Sequence, residues 1–412
     1  VGGERNWAGN VAYLAARVHE PRTVAEVQRL VAAATRVRAL GSRHSFSPIA
    51  DTTGDLVAMH HLDRVLAIDP VARTVTVEGG TRYGELAPEL HAAGWALHNL
   101  ASLPHISVAG ACATATHGSG DDHGNLATAV GAVRLCLADG SLVDVRRGDP
   151  EFGGVVVSLG ALGIAIELTL DIEETFDVRQ SVDLDLPIDA VRQRFDEVMG
   201  SADSVSLFTA WQSDVIEQRW RKDRVGRAPT SDGLGRLASV DLHPIAGIAP
   251  DPCTPQRGVP GPWFERLPHF RAGFTPSSGD ELQSELFVRR DDGPDVIGVL
   301  SSLSGALAPV LKISEVRSIA ADDLWLSPAS RGATIAFHFT WVNSWALVEP
   351  VLRRVEDALE PFAPIPHWGK LTTIAPLSIR TRLPHADRFA ELADRLDPLH
   401  RFRNPMLDAL IG

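Results

Sequence analysis

The stretch Val37-Arg38-Ala39-Leu40-Gly41-Ser42-Arg43-His44-Ser45-Phe46 decides how this chain is read. An apolar strand runs straight into a tight turn, and the turn carries a histidine. Glycine and serine let the backbone bend sharply and offer N–H and O–H donors, the makings of an anion-binding nest. A second small-residue, donor-rich run follows at Gly110-Ala111-Cys112-Ala113-Thr114-Ala115-Thr116-His117-Gly118-Ser119-Gly120. Two such cradles suit a long pyrophosphate better than a single phosphate. The expected ligand is a dinucleotide, with a flavin as the candidate.

Outward from that turn, Thr23 opens an amphipathic helix over 24–34, with Val27, Leu30 and Val31 at helical spacing, so the first unit is helix then strand. A strand is predicted at 56–59, a hairpin over 64–69 and 73–78, a helix over 83–93 and a second hairpin over 135–145 with Asp139-Gly140 at its tip. The run 158–166 carries Gly160 and Gly163, which suit either close approach to a ligand or helix, or plain packing. This first α+β lobe is expected to end near Asp171. Beyond Val178 the texture changes to alternating strands, at 204–211, 282–289, Leu311–Ile319 and 334–341. Helices are predicted over 293–307 and Trp345–Leu359. The Pro/Gly-rich run 243–262 reads as an ordered surface loop carrying Trp263, and the tail 388–412 as helical and then irregular.

Composition bounds the function. At 412 residues the chain exceeds what one core usually holds, so two or three lobes are expected. A net charge of −13 argues against a nucleic-acid partner, which needs basic surface. No apolar run is long enough to cross a membrane, and residues 1–7 contain no apolar signal core. Three isolated cysteines make neither a disulfide framework nor a metal motif, so the expected location is the reducing cytoplasm.

Polar residues at strand spacing mark a second feature. Glu315 and Arg317 flank Val316, and His338 and Thr340 flank Phe339, so each pair shares a strand face. Pro366-His367-Trp368-Gly369-Lys370 follows. Together they offer a carboxylate, a guanidinium, an imidazole, a hydroxyl and an amine as a polar floor for a ligand. Each residue also has a structural reading: Glu315 and Arg317 as an ion pair, His338 as a satisfied core histidine, Lys370 as a surface group, His44 as a turn residue. Competing motifs are weak. There is no GxxxxGK[ST] loop and no GxSxG elbow, and Gly118 to Gly124 has the wrong spacing for a dinucleotide fingerprint. The fifteen histidines include no HExxH set, so no metal is expected.

The run Ala101-Ser102-Leu103-Pro104-His105-Ile106-Ser107-Val108-Ala109-Gly110, continuing to Gly120, resembles the vanillyl-alcohol-oxidase-type FAD family, and in particular its alditol-oxidising branch. Asn6-Trp7-Ala8-Gly9-Asn10, Gly258-Val259-Pro260-Gly261-Pro262-Trp263, Leu267-Pro268-His269-Phe270-Arg271 and the Lys370 motif extend the resemblance over nearly the whole chain. It implies a two-domain α+β flavoprotein: a vanillyl-alcohol-oxidase-type FAD-binding domain over 1–172, a sheet-based substrate cap domain over 173–375, and a C-terminal segment, 376–412, returning to the FAD domain. His44 matches the histidine bonded covalently to the flavin 8α-methyl. Ala39, Leu40, Gly41, Ser42, Arg43 and Ser45 would wrap the pyrophosphate. Ser102, Ser107, Gly110, Thr114, Ala115, Thr116, His117, Ala165 and His367 would continue the FAD site. Arg43 departs from the family, which commonly has glycine there.

For substrate, the resemblance assigns Ser102, Glu315, Arg317, His338, Thr340 and Lys370, with Lys370, Arg317 and Glu315 as the catalytic set. It implies oxidation of the terminal primary alcohol of alditols such as xylitol and sorbitol to the aldose. Hydride passes to flavin N5, and dioxygen reoxidises the flavin to give hydrogen peroxide. The alternatives are an aldonolactone oxidase or dehydrogenase of the same fold, and a polyol-binding protein with a vestigial flavin site. A monomer without membrane or nucleic-acid partners is expected.

Overall fold

Thr23 starts the first helix of the computed structural model, its hydroxyl accepting from the Glu26 N–H at 3.2 Å, and Val27 and Val31 bury one face of Val24–Ala33. The strand Val37–Leu40 follows and pairs in parallel with Asp55–Ala58, which pairs on its other side with Arg17–His19. The structure describes residues 4–227, 230, 232–274 and 280–412; of the chain start read above, Val1, Gly2 and Gly3 lie outside them.

Arg38 staples this small sheet to distant chain. Its buried guanidinium donates to the carbonyls of Leu159 (2.7 Å), Gly160 (2.8 Å), Phe402 (2.7 Å) and Ile49. Burial lowers its pKa to about 10, so it stays charged at neutral pH and its donors stay committed to those carbonyls. Val37 N–H also donates to Arg401 O at 2.8 Å, and Asn404 Nδ2 to the carbonyls of Pro48, Ile49 and Asp51. The C-terminal tail therefore returns to the strand that leads into the His44 turn.

Beside it lies a five-stranded antiparallel sheet in the order Val65–Asp69, Thr74–Glu78, Ile164–Asp171, Val130–Cys136, Leu142–Arg146. Both expected hairpins are present, although the first strand of the second begins at Val130, before the predicted 135. The larger sheet has nine strands. Its centre runs Asp177–Pro187, Val215–Arg224, Ser204–Thr209, Leu311–Ile319, Thr334–Val342, Glu281–Arg289, each antiparallel to the next.

Alternation divides that sheet into two faces. Leu282, Leu286, Val316, Ile335, Phe337, Phe339 and Trp341 point back into a core with the helices Gly293–Ser302 and Trp345–Leu359, whose Val348, Leu352, Val355 and Leu359 are buried. Truncating any of these leucines to Ala costs on the order of 2–5 kcal/mol. The other face carries the polar residues. The ladder aligns Glu285, His338, Glu315 and Phe208 across four strands, so all four share that face.

Three expectations change. The tail is not irregular at its end: after the helix Ala386–Leu396, Asn404 accepts from Leu407 N–H and caps a last helix, Pro405–Ile411. Trp263 is no surface anchor but is fully buried beneath Phe176 and Phe264. The run 243–262 is irregular up to Pro260, but Gly261–Pro262 pairs with Asp177 and Val178 as a short strand of the large sheet, and His243, Pro244, Ile245, Ile248 and Pro252 line a cavity.

Candidate active site

A cavity of about 700 Å³ runs from the His44 turn to the polar face of the large sheet. That is the size range of cofactor and substrate sites. Every residue expected at the cofactor and substrate sites lines it, except Ala115. Ala115 has φ +51 and is buried in the core, where its N–H is spent on Cys112 O. Gly160 and Gly163 also line the cavity, whereas Gly118 and Gly120 do not; Gly120 N–H bonds Ser318 O instead.

Four groups hold the His44 turn. Trp7 N–H donates to Arg43 O (2.9 Å), Asn6 Nδ2 to Ser45 O (2.9 Å), Asn10 Nδ2 to Phe46 O (2.8 Å), and Phe46 N–H to Gly369 O (2.7 Å). Arg43 takes the left-handed region at φ +63, a strain on the order of 1–2 kcal/mol. Its guanidinium turns to Glu4 at 2.8 Å. His44 stacks on Trp7, with ring centres 5.6 Å apart. Its Nδ1 is buried and has no partner among the described residues, and burial lowers its pKa to about 4. The ring is thus neutral at physiological pH, and His44 lines the cavity.

Across the cavity, Ser107 N–H donates to Ser42 Oγ at 3.1 Å. A Cβ on Gly41 would stand 2.6 Å from Ser107 Oγ, so the lack of a side chain there lets the His44 turn lie against Ser107. The narrow, donor-lined cleft and the orphaned imidazole nitrogen fit a pyrophosphate-linked flavin.

The polar face centres on Glu285, which sequence reasoning missed. Its carboxylate is fully buried and accepts from Arg317 Nη2 on one oxygen and Lys370 Nζ on the other, each at 2.8 Å. His117 Nε2 is 3.3 Å from the Arg317-bound oxygen, outside hydrogen-bond geometry. Burial would raise the Glu285 pKa, but Lys370, His117 and Arg317 together hold it well below the usual carboxylate range. Arg317 Nη1 reaches Ser102 Oγ at 3.3 Å, and its Nε is 3.5 Å from Glu315 Oε1. Lys370 Nζ also donates to His338 Nδ1 (2.8 Å), whose Nε2 faces Thr340 Oγ1 (3.2 Å). His367 accepts from Gly369 N–H at Nδ1, and its backbone N–H bonds Glu285 O, pinning the Lys370 turn to the sheet. Two further residues belong here: His269, bonded to Glu315 Oε1 at 2.7 Å, and Lys222, 3.0 Å from His269 Nδ1. Among the described residues, the one trio of metal-type ligands, Glu20, His60 and His61, lies outside the cavity lining.

Such a surface presents alternating cations and carboxylates to a small, hydroxyl-rich ligand beside a cofactor cleft. Fold and site together define a flavin-dependent oxidoreductase of α+β architecture. A model of the FAD binding domain matches residues 15–146, and one of D-arabinono-1,4-lactone oxidase matches 284–410. The chain belongs to the vanillyl-alcohol-oxidase-type family of FAD proteins. It is 46% identical over 409 residues to an alditol oxidase of Streptomyces sp. (strain IKD472), covering 98% of each chain. L-gulono-1,4-lactone dehydrogenase of Mycobacterium tuberculosis is 29% identical over 99% of this chain and 98% of its own. L-gulonolactone oxidase of Bos taurus is 24% identical over 98% and 97%. A solvent-stable cholesterol oxidase superposes with a TM-score of 0.81 at 16% identity, over 100% of this chain and 97% of that one, a likeness of fold.

Proposed function

We propose that this chain oxidises the terminal primary alcohol of alditols such as xylitol and sorbitol to the aldose, with dioxygen as the final acceptor and hydrogen peroxide as the second product. The observation that carries this reading is the Lys370–Glu285–Arg317 cluster, with Glu315, Ser102 and Thr340 beside it, on the wall of the cavity that the His44 turn also lines. Bound FAD supplies the hydride acceptor and returns the electrons to dioxygen. The protein's part is electrostatic. Lys370 and Arg317 stabilise negative charge developing on the substrate oxygen. Glu315 accepts from a substrate hydroxyl, while Ser102, Thr340 and His338 anchor others. Simple alkanols are poor substrates, because they leave these buried groups unpaired.

The FAD is held by Ala39 to Ser45, Ser102, Ser107, Gly110, Thr114, Thr116, His117, Ala165 and His367, within a domain spanning 1–172. Residues 173–375 form the substrate cap and 376–412 return to the first domain. His44 is bonded covalently to the flavin; its neutral ring and free Nδ1 support this. His44→Ala is expected to release all FAD on denaturation, read as loss of the flavin-labelled peptide; a labelled peptide in the variant would reassign the link. A monomer in the cytoplasm is the proposed state, in keeping with three free, buried cysteines.

A second reading, oxidation of an aldonolactone, is favoured by the match of 284–410 to the lactone oxidase model. Anaerobic mixing separates the two. Bleaching of the flavin by xylitol, with recovery and peroxide in air, is the expected result. Bleaching only by an aldonolactone transfers the activity to the second reading, and colourless protein that binds polyols without taking up FAD rejects both.

A further inference from the structure

The polar face of the large sheet carries two lysine–histidine pairs wired alike. In one, Lys370 Nζ donates to His338 Nδ1 and His338 Nε2 faces Thr340 Oγ1. In the other, Lys222 Nζ donates to His269 Nδ1 at 3.0 Å and His269 Nε2 faces Glu315 Oε1 at 2.7 Å. An ammonium has donors only and a carboxylate only acceptors, so Lys370 places the proton of His338 on Nε2, and Lys222 and Glu315 together place that of His269 there. Lys222 has all three donors engaged, the other two on the carbonyls of Leu267 and Pro268 (3.1 Å to the latter).

His269 is the one group among the described residues that donates a hydrogen bond to the Glu315 side chain. Arg317 does not do so: its Nη atoms go to Glu285 and Ser102, and its Nε, 3.5 Å from Glu315, bonds nothing. Oε2 of Glu315 has no protein partner among the described residues, and Glu315 lines the cavity. The His269 ring cannot swing away. Phe208 and Trp220 pack against it with ring centres 5.5 and 5.3 Å distant, and Thr254 Oγ1 holds the preceding carbonyl of Pro268 at 2.8 Å. Burial, with Lys222 only 1% exposed, pushes its pKa down to about 7, a cost that an apolar side chain would not carry.

We propose that Lys222 and His269 are positioning residues of the substrate site: Lys222 anchors His269 at Nδ1, His269 holds Glu315 Oε1, and Oε2 is thereby presented to the polyol. The proposal rests on Glu315 accepting from the substrate. It assigns Lys222 and His269 to binding rather than to the hydride step, since neither is bonded to the Lys370–Glu285 cluster.

Anaerobic reduction of the FAD-loaded enzyme by xylitol tests this through the split between apparent Kd and limiting rate. Lys222→Met and His269→Ala are each expected to raise the apparent Kd roughly 10- to 100-fold, the loss of one hydrogen bond to a charged group, with the limiting rate within about threefold. His269→Gln, whose amide nitrogen can occupy the Nε2 position, is expected to recover most of the affinity. Histidine ¹⁵N spectra supply a readout apart from turnover: the His269 Nδ1 signal, set by its bond from Lys222, is expected to move in Lys222→Met while the Nε2–H facing Glu315 is kept. Should Lys222→Met fail to fold, the contrast between His269→Ala and His269→Gln decides. Native affinity in Lys222→Met and His269→Ala, alongside weakened binding in Glu315→Gln, overturns the relay but keeps Glu315. Native affinity in Glu315→Gln removes the carboxylate's role, and the underlying reading with it.

Discussion

Lys370→Met is expected to slow flavin reduction by xylitol about 10²- to 10³-fold, the usual effect of removing one preorganised charge from a site where negative charge develops. Methionine keeps the length and much of the volume of lysine and removes only the donors. Glu285 remains paired with Arg317 at 2.8 Å, so the carboxylate is not stranded and the fold survives. His338 loses the donor that fixes its ring, so Thr340 is oriented less well too. Anaerobic stopped-flow absorbance reads the effect directly. A native reduction rate in a variant that still carries its FAD takes Lys370 out of the chemistry.

Glu285→Ala strikes stability instead. It leaves Arg317 and Lys370 buried side by side with no carboxylate between them, and breaking a buried pair in this way costs about 3–5 kcal/mol. Urea unfolding of the FAD-loaded protein, followed by tryptophan fluorescence, measures it. The dependence on pH has a definite sign. The carboxyl is held below its unfolded value of roughly 4.3, so its contribution is complete above that pH and lost as pH falls toward the folded value. The stability gap between native protein and Glu285→Gln is therefore expected to be constant above pH ~5 and to narrow in stronger acid. A gap that widens in acid contradicts the carboxylate assignment.

Local signals marked most of the architecture. Helical spacing located Val24–Ala33 and Trp345–Leu359, and period-two patterns located the strands bearing Glu315, Arg317, His338 and Thr340. Glu285 escaped although the same signal was available: Glu281, Gln283 and Glu285 alternate with Leu282, Ser284 and Leu286 on one strand. What no local pattern holds is the ladder that sets Glu285 opposite His338, and His338 opposite Glu315. Lys222 was hidden for a different reason. Val215–Arg224 carries Arg219, Arg221 and Asp223, all buried on the opposite face to Lys222, the first two paired with Asp183. Charge on both faces blurs the inside–outside alternation by which a strand is recognised. The tail was misread because Asn404-Pro405, a helix start, resembles a turn when the capped Leu407 N–H is out of view.

The hydrogen bonds from Phe46 to Gly369 and from Ser47 to Trp368 join segments 321 residues apart for the latter pair. Chain growth on the ribosome delivers the histidine turn long before its partner exists. Until the last tenth of the polypeptide has emerged, the cleft lacks a wall and a nascent fragment has nowhere to seat the cofactor. Under the proposed His44 link, attachment of the flavin is an event of the finished chain, and a yellow polypeptide on a denaturing gel would certify that the whole molecule once closed around it.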